Sequence, residues 1–167
     1  MAINYGQLEA ELSDRLNAYF VANAVDNLFA AYPIPQNESE VKRDIEKGRV
    51  WVQYHTSDYI PSASISAVSH RETITIRLIF AVSNLRNADG FYNLINNVKT
   101  SLLGYQPQGC SLRLTISKYA SVEYDNNAIL NVLEMQTETV NVQIPEEPNY
   151  IGGQFTGLTT IDEPYTP

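Results

Sequence analysis

The sequence is short of the residues that build covalent crosslinks and metal centres: it holds one cysteine, Cys110, and two histidines, His55 and His70. A lone cysteine excludes an intrachain disulfide and a zinc site built on paired cysteines. Charged residues are also scarce at 18%, and 11 basic residues against 19 acidic ones give a net charge of −8. Binding to a phosphate backbone requires clustered Lys and Arg, so the composition argues against a nucleic-acid-binding protein.

Long apolar runs are absent as well. No window approaches the ~20 consecutive apolar residues of a membrane-spanning helix. The N-terminus, MAINYGQLEAEL, lacks the basic start and apolar stretch of a signal peptide. We therefore expect a protein that is made and folded in a cytoplasm and does not contact a membrane. A chain of 167 residues with 44% hydrophobic residues has the material for one domain with its own core.

Apolar residues at spacings of three and four predict two main helices. The first has Asn4 as its N-cap and an apolar stripe formed by Tyr5, Leu8, Leu12, Leu16, Tyr19 and Phe20. The second is capped by Asp89 or Asn87, ends at Gly104, and carries the stripe Phe91, Leu94, Ile95, Val98 and Leu102. Residues 38–46 fit a third, short helix.

Alternation of apolar and polar residues predicts the strands. They cover 28–32, 49–55, 73–82, 112–117 and 129–143, and the first is an edge strand because Pro33 ends it. One face of the resulting sheet is apolar, and the other carries Thr, Ser, Arg and Gln. We expect an α+β fold, with a mostly antiparallel sheet and the two main helices packed on its apolar face.

Two stretches do not follow a simple period. Residues 57–70 are rich in Ser and Ala, and we predict a long loop or extended arm there. In the last strand the apolar phase changes between Met135 and Val140, which favours a bulge or a strand end that leaves the sheet. Asp125, Asn126 and Asn127 predict the turn before it.

The C-terminal segment differs in composition from the rest of the chain. We divide the sequence into an α+β domain over 1–144 and an extended acidic arm over 145–167, which holds four of the eight prolines. The arm has four carboxylates and no Lys or Arg, so it cannot form its own core. Its apolar residues nevertheless predict that it packs on another surface; they are Tyr150, Ile151, Phe155, Leu158, Ile161 and Tyr165.

Motifs for chemistry are missing, since the sequence has no phosphate-binding Gly-rich loop and no HExxH, GxSxG or CxxC pattern. We interpret His55 and His70 as surface histidines, although serines near His70 leave a Ser-His-Asp arrangement open. Cys110 fits a small buried thiol better than a reactive one. Glu123 and Asp125 could serve acid–base or metal chemistry, but a solvated turn is the simpler interpretation. We predict no catalytic residue, no cofactor and no metal site.

The stretch DGFYNLINNVKTSLLGYQPQGCSLRLTISKYASVEYDNNAILNVLEMQTETV resembles the tail-terminator family of Mu-like contractile-tailed phages. A helix ends in Leu-Gly-Tyr, then come Pro-x-Gly-Cys, a strand, an acidic residue and a final strand. The positions that carry the resemblance are Asp89, Gly90, Leu94, Leu102, Gly104, Tyr105, Pro107, Gly109, Cys110 and Glu123. The order of the elements through Val142 also agrees, so the resemblance covers about 140 residues.

The resemblance implies a structural protein of the virion, assembled in the host cytoplasm and located at the junction of tail and neck. Six copies would form a ring on the last layer of the tail tube, stop its growth and contact the sheath and the neck or connector proteins. DNA would pass through such a ring only as cargo. The acidic composition agrees with that, because a negative surface repels DNA.

Two alternatives remain open. The chain could be another neck or tail-completion protein, or a monomeric module that binds a partner through its acidic tail. For subunit or partner contacts we select exposed apolar candidates in the two irregular stretches: Ile60, Ile65, Tyr150, Phe155, Leu158 and Tyr165.

Overall fold

The structure is a computed structural model, and it describes residues 3–35, 47–62, 68–125 and 128–143. Along the chain the elements are α1 (Tyr5–Ala22), β1 (Phe29–Pro33), β2 (Gly48–Ser62), β3 (Val68–Val82), α2 (Phe91–Leu102), β4 (Thr115–Asp125) and β5 (Ala128–Gln143). The strands form one sheet in the order β1-β2-β3-β5-β4. β1 is parallel to β2, and the other neighbouring strands are antiparallel. The predicted α+β fold is confirmed.

Helix α1 begins where its sequence predicts. The Asn4 side chain accepts a hydrogen bond from the Gln7 backbone N–H at 3.2 Å, which satisfies one of the free N–H groups of the first turn. The stripe at Leu8, Leu12, Leu16 and Phe20 is buried against β1 and β2. On the same helix the Asn17 amide both donates to and accepts from the Ala31 backbone, at 2.8 and 2.9 Å. Two hydrogen bonds thus hold the edge strand β1 to α1.

Helix α2 has the predicted stripe but a different N-terminus. Its N-cap is Gly90, which makes no side-chain cap, and Asp89 instead accepts from the Asn84 side chain at 2.9 Å. The prediction of an Asp89 or Asn87 cap was therefore wrong. Backbone carbonyls replace it, because the Phe91 N–H donates to Asn84 O at 3.0 Å and the Tyr92 N–H donates to Leu85 O. At the other end Gly104, with φ +79°, follows the helix as predicted.

The core lies between the two helices and one face of the sheet. Its large side chains include the edge-to-face pair Phe80 and Phe91, with ring centroids 5.6 Å apart. The rest of the core comes from alternate positions of the central strands and from the two helical stripes: Val50, Val52, Ile74, Ile76, Leu78, Leu94, Val98, Leu133 and Met135. Neither described helix is long and apolar enough to cross a membrane.

The prediction of a loop or arm over residues 57–70 was wrong for its described parts. β2 continues to Ser62 and β3 begins at Val68, and residues 57–62 pair with 69–74. Backbone hydrogen bonds make this pairing, and they do not require the alternating apolar side chains on which the prediction depended. Ile65 and the predicted helix over 38–46 lie outside the described residues.

The last two strands also correct the predictions. β4 begins at Thr115 and not at Leu112. β5 has no bulge against β3 and stays in the sheet, since its pairing runs without a shift from Ile129 to Gln143. The apolar phase changes because Thr137 and Thr139 occupy the buried positions of β5 there. Val140 and Val142 lie on the opposite, exposed face.

Candidate functional site

The sheet face away from the helices is not uniformly polar. The strand register aligns Trp51, Ile79 and Val132 in one row across β2, β3 and β5. Trp51 is buried and its two neighbours are half-buried, although neither described helix packs on this face. Large apolar side chains in the middle of an open sheet face are typical of surfaces that another protein covers.

A polar row crosses the same face next to the apolar one. Arg77 donates to Glu134 through Nη2 at 2.9 Å and through Nε at 3.3 Å. The hydrogen bond from Arg77 holds the pKa of Glu134 below its ordinary value. Arg77 Nη2 also lies 2.8 Å from His55 Nε2. A guanidinium only donates, so His55 accepts through Nε2. His55 is exposed and has a structural partner, as a surface histidine would.

The other candidates for chemistry have ordinary surroundings. Cys110 is buried, and burial raises the pKa of its thiol, so it remains a protonated thiol of low reactivity. His70 lies half-buried on β3, paired in register with Pro61 and Asn141. Among the described residues no three His, Cys, Asp or Glu side chains are placed to hold a metal ion. The side chains of Glu123 and Asp125 lie outside the described part.

On the sheet face away from the helices, exposed apolar side chains form a patch near the end of β2, the start of β3 and the end of β5. We refer to this end of the sheet as the tip. Ile60, Arg71 and Val140 lie side by side in the register, and Val142 follows two residues along β5. Ile60 is 58% exposed, Val140 48% and Val142 52%. We call Ile60, Val140 and Val142 the tip patch. The predicted contact residue Ile60 thus lies beside two valines from the stretch of β5 for which a bulge or a strand end that leaves the sheet is predicted.

On the helix side of the same tip, the carboxyl residue Glu72 is only 2% exposed. Its Oε1 accepts hydrogen bonds from Tyr5 at 2.5 Å, Ser57 at 2.6 Å and Tyr59 at 3.2 Å, and its Oε2 accepts from Asn141 at 2.9 Å. Burial raises the pKa of this carboxyl, but the four hydrogen bonds outweigh burial and lower it overall. Glu72 therefore connects α1, β2, β3 and β5 through one charged group.

The segment over residues 103–114 connects α2 to β4 and is fixed to both layers. Glu11 on α1 accepts from the Tyr105 hydroxyl at 2.5 Å and from the Gln108 N–H at 3.0 Å. Arg15 lies over the Tyr105 ring, 3.8 Å from its centroid. On the other side Thr137 donates to Leu112 O at 2.6 Å. The Gly-Tyr-Gln-Pro-Gln-Gly-Cys stretch thus has a structural role.

A groove lies between α2 and β4, where the Phe91 and Tyr119 rings approach with centroids 6.3 Å apart. It has a volume of about 390 Å³ and is lined by Phe91, Tyr92, Ile95, Asn96, Lys99 and Tyr119. Tyr92 is 52% exposed and Tyr119 is 49% exposed. We call it the α2–β4 groove. It depends on the tertiary arrangement of a helix and an edge strand, so no sequence signal indicated it.

Comparison with known proteins places the chain in a family. The sequence model of one family, described as the Gp37 protein, matches residues 24–155. The chain belongs to the Gp37 protein family. A search of curated proteins gives no match. Among solved structures, a chain in the virion of a native gene transfer agent particle matches with 13% identity and a TM-score of 0.40. That match covers 82% of this Gp37-family chain and 99% of the other chain.

The Gp37 match includes most of the surfaces described above. It spans β1 to β5 with α2, and therefore the tip patch and the α2–β4 groove. It also extends to residue 155, beyond the last described residue, Gln143. Four of the predicted contact residues, Tyr150, Phe155, Leu158 and Tyr165, lie outside the described residues, so their role stays a prediction.

Proposed function

We propose that this Gp37-family protein is a structural subunit of a phage-type virion and not an enzyme. In this proposal six copies form a ring that caps the tail tube, stops its polymerisation and joins tube and sheath to the neck. The tail-terminator assignment and the copy number come from the sequence resemblance. The surfaces of the described residues support the more general part of the proposal, a protein built to be covered by its neighbours.

The proposal rests most directly on the outer edge of β2, which no described strand covers near the tip of the sheet. β1 pairs with β2 only as far as Val52, and the next outward N–H, of Tyr54, is taken by Glu9 Oε1 at 2.6 Å. Beyond that point no described strand pairs with the outer edge of β2, which continues to Ser62. Free strand edges and exposed apolar side chains are sites for another chain. The tip patch lies beside this edge.

The hydrogen bonds that connect the strands at the tip support an assembly role. β2, β3 and β5 would fray at their ends if they were tied only by exposed backbone hydrogen bonds. Glu72 on β3 opposes this fraying, since its carboxylate is shared by groups from three other elements. A rigid tip presents the tip patch in one orientation, which lowers the entropy lost on association.

The kind of contact also fits a ring. The tip patch and the α2–β4 groove are different surfaces on opposite faces of the sheet, and neither repeats the other. Contacts between unlike surfaces join subunits head to tail, and such contacts close into rings when the rotation allows it. The net charge of −8 would suit a lumen through which DNA passes without adhering.

Growing tail tubes provide the test that separates a terminator from another neck or completion protein. Purified protein is added during polymerisation of purified tube protein, and tube lengths and ends are measured by negative-stain imaging. We expect shorter tubes with a ring at one end and no protein along the sides. Unchanged lengths with protein bound along the tube, or no binding at all, would contradict the terminator assignment. Binding to the tube that requires only the acidic arm over 145–167 of this protein would favour the monomeric binding module.

A further inference from the structure

We infer that residues 154–167 of one copy bind in the α2–β4 groove of the next copy. This inference rests on the proposed ring and names the contact that would hold it together. It assigns an occupant to the groove and a binding site to the arm.

The groove has the chemistry of a site for an apolar, acidic segment. Tyr92 and Tyr119 expose their rings on its two sides, and Phe91 and Ile95 form its base. Lys99 is its one charged lining residue, and none of the six lining residues is acidic. Such a groove favours a segment that brings large apolar side chains and negative charge.

The chain after Gln143, which includes the arm over 145–167, has this composition. Residues 144–153 contain two prolines and two glycines, which suit a spacer. Residues 154–167 contain Phe155, Leu158, Ile161 and Tyr165 together with Asp162 and Glu163, and no Lys or Arg. Apolar residues every three or four positions would place several side chains along one groove, next to a lysine that the carboxylates can approach.

The exit of the chain favours the groove of a neighbour over the chain's own groove. Tyr119 pairs with Leu133, whereas β5 ends ten residues later at Gln143 and runs away from the groove, a distance of about 33 Å. The direct path from Gln143 back to the chain's own groove, along the helix side of β5, is occupied. There the 103–114 segment bonds to Thr137, Glu138 and Thr139 at 2.6, 2.7 and 3.0 Å.

The arm is long enough to reach a neighbour. The 24 residues after Gln143 span at most about 80 Å when extended, so ten of them can cross to the next copy and leave the last 14 to lie in its groove. β5 ends at Gln143, one residue after Val142 of the tip patch. The tip of one copy would therefore approach the groove side of the next, which is the head-to-tail contact of a ring.

Two full-length variants test this contact by complementation. The groove variant carries Tyr92→Ser and Lys99→Glu, and the arm variant carries Phe155→Ser, Leu158→Ser and Ile161→Ser. We expect each variant alone to self-associate at least about thirtyfold more weakly than the original chain, because each loses aromatic or apolar anchors at a contact. Mixed together, they should form a complex, because the arm of the first binds the intact groove of the second. Val21→Ser, which changes an exposed apolar residue on α1, serves as the control and should assemble normally.

The outcomes separate this inference from the ring itself. If the original chain forms rings and either variant forms them equally well, the arm–groove contact is wrong and the ring stands. The inference also fails if the mixture does not form a complex. If the mixture forms a complex but the original chain does not form rings, the contact stands and the ring is wrong. Unchanged melting temperatures of the variants at low concentration show that folding is intact.

Discussion

Glu72→Leu should lower the free energy of unfolding by about 3 kcal/mol, because four donors lose the charged acceptor that they share. Glu72→Gln should cost less, since an amide oxygen still accepts some of these hydrogen bonds. Urea unfolding at low protein concentration measures both, with the single tryptophan, Trp51, as the fluorescent probe. The matched control is Glu138→Gln, whose surface ion pair with Arg71 spans 3.7 Å and should contribute less than about 0.5 kcal/mol.

The pH dependence follows from the direction of the pKa shift. The hydrogen bonds hold the pKa of Glu72 in the folded protein below the value of about 4.3 expected in the unfolded chain. Its contribution is therefore complete above that value and is lost as the pH falls through the lower, folded pKa. The original chain should lose stability below pH ~4, and Glu72→Gln should lose less over the same range. Equal acid dependence of the two proteins, or a Glu72→Leu variant as stable as the original, would contradict the role assigned to this carboxylate.

Val140→Glu should abolish assembly while the subunit stays folded. Val140 is half-exposed in the free subunit, so the new carboxylate remains in water there. In a ring that covers the tip patch the same carboxylate would lose its hydration, and the neighbouring Arg71 already pairs with Glu138. We expect a cost of about 3 kcal/mol or more, which corresponds to an affinity loss of at least about a hundredfold. Sedimentation velocity across a concentration series measures this loss.

The control for the tip patch is Val21→Glu. Val21 is 65% exposed on α1, on the helix side of the sheet, so it gains the same charge away from the patch. We expect Val21→Glu to assemble like the original chain. Equal assembly by Val140→Glu would show that the tip patch is not a subunit contact.

The helices and the central strand could be predicted because each buries one regular face. The stripe from Leu8 to Phe20 and the alternation from Ile74 to Val82 match their periods throughout. The continuation of β2 to Ser62 could not be predicted, because at the tip of the sheet neither face is packed in the core. Exposed residues such as Asp58, Tyr59 and Ile60 then show no alternation.

The surfaces were only partly predictable for the same reason. Ile60 could be selected as an apolar residue in a polar stretch, but its neighbours on the patch come from β5, which is distant in sequence. The change of phase at Val140 was a real signal. It marked an apolar surface on the second face of the sheet and not a bulge. Glu72 was also detectable in the sequence, because it is a carboxylate at a position of β3 where the alternation places an apolar residue. Its hydrogen-bond donors could not be predicted, because they come from three other elements.

The central claim is that the protein forms a ring, and native mass spectrometry with negative-stain imaging tests it most directly. The purified full-length protein is measured across a concentration series, alone and in the presence of tail tube. We expect a species of six copies that appears as a ring with a central hole, either free or at tube ends. A strict monomer at every concentration, both alone and with tube, would contradict it.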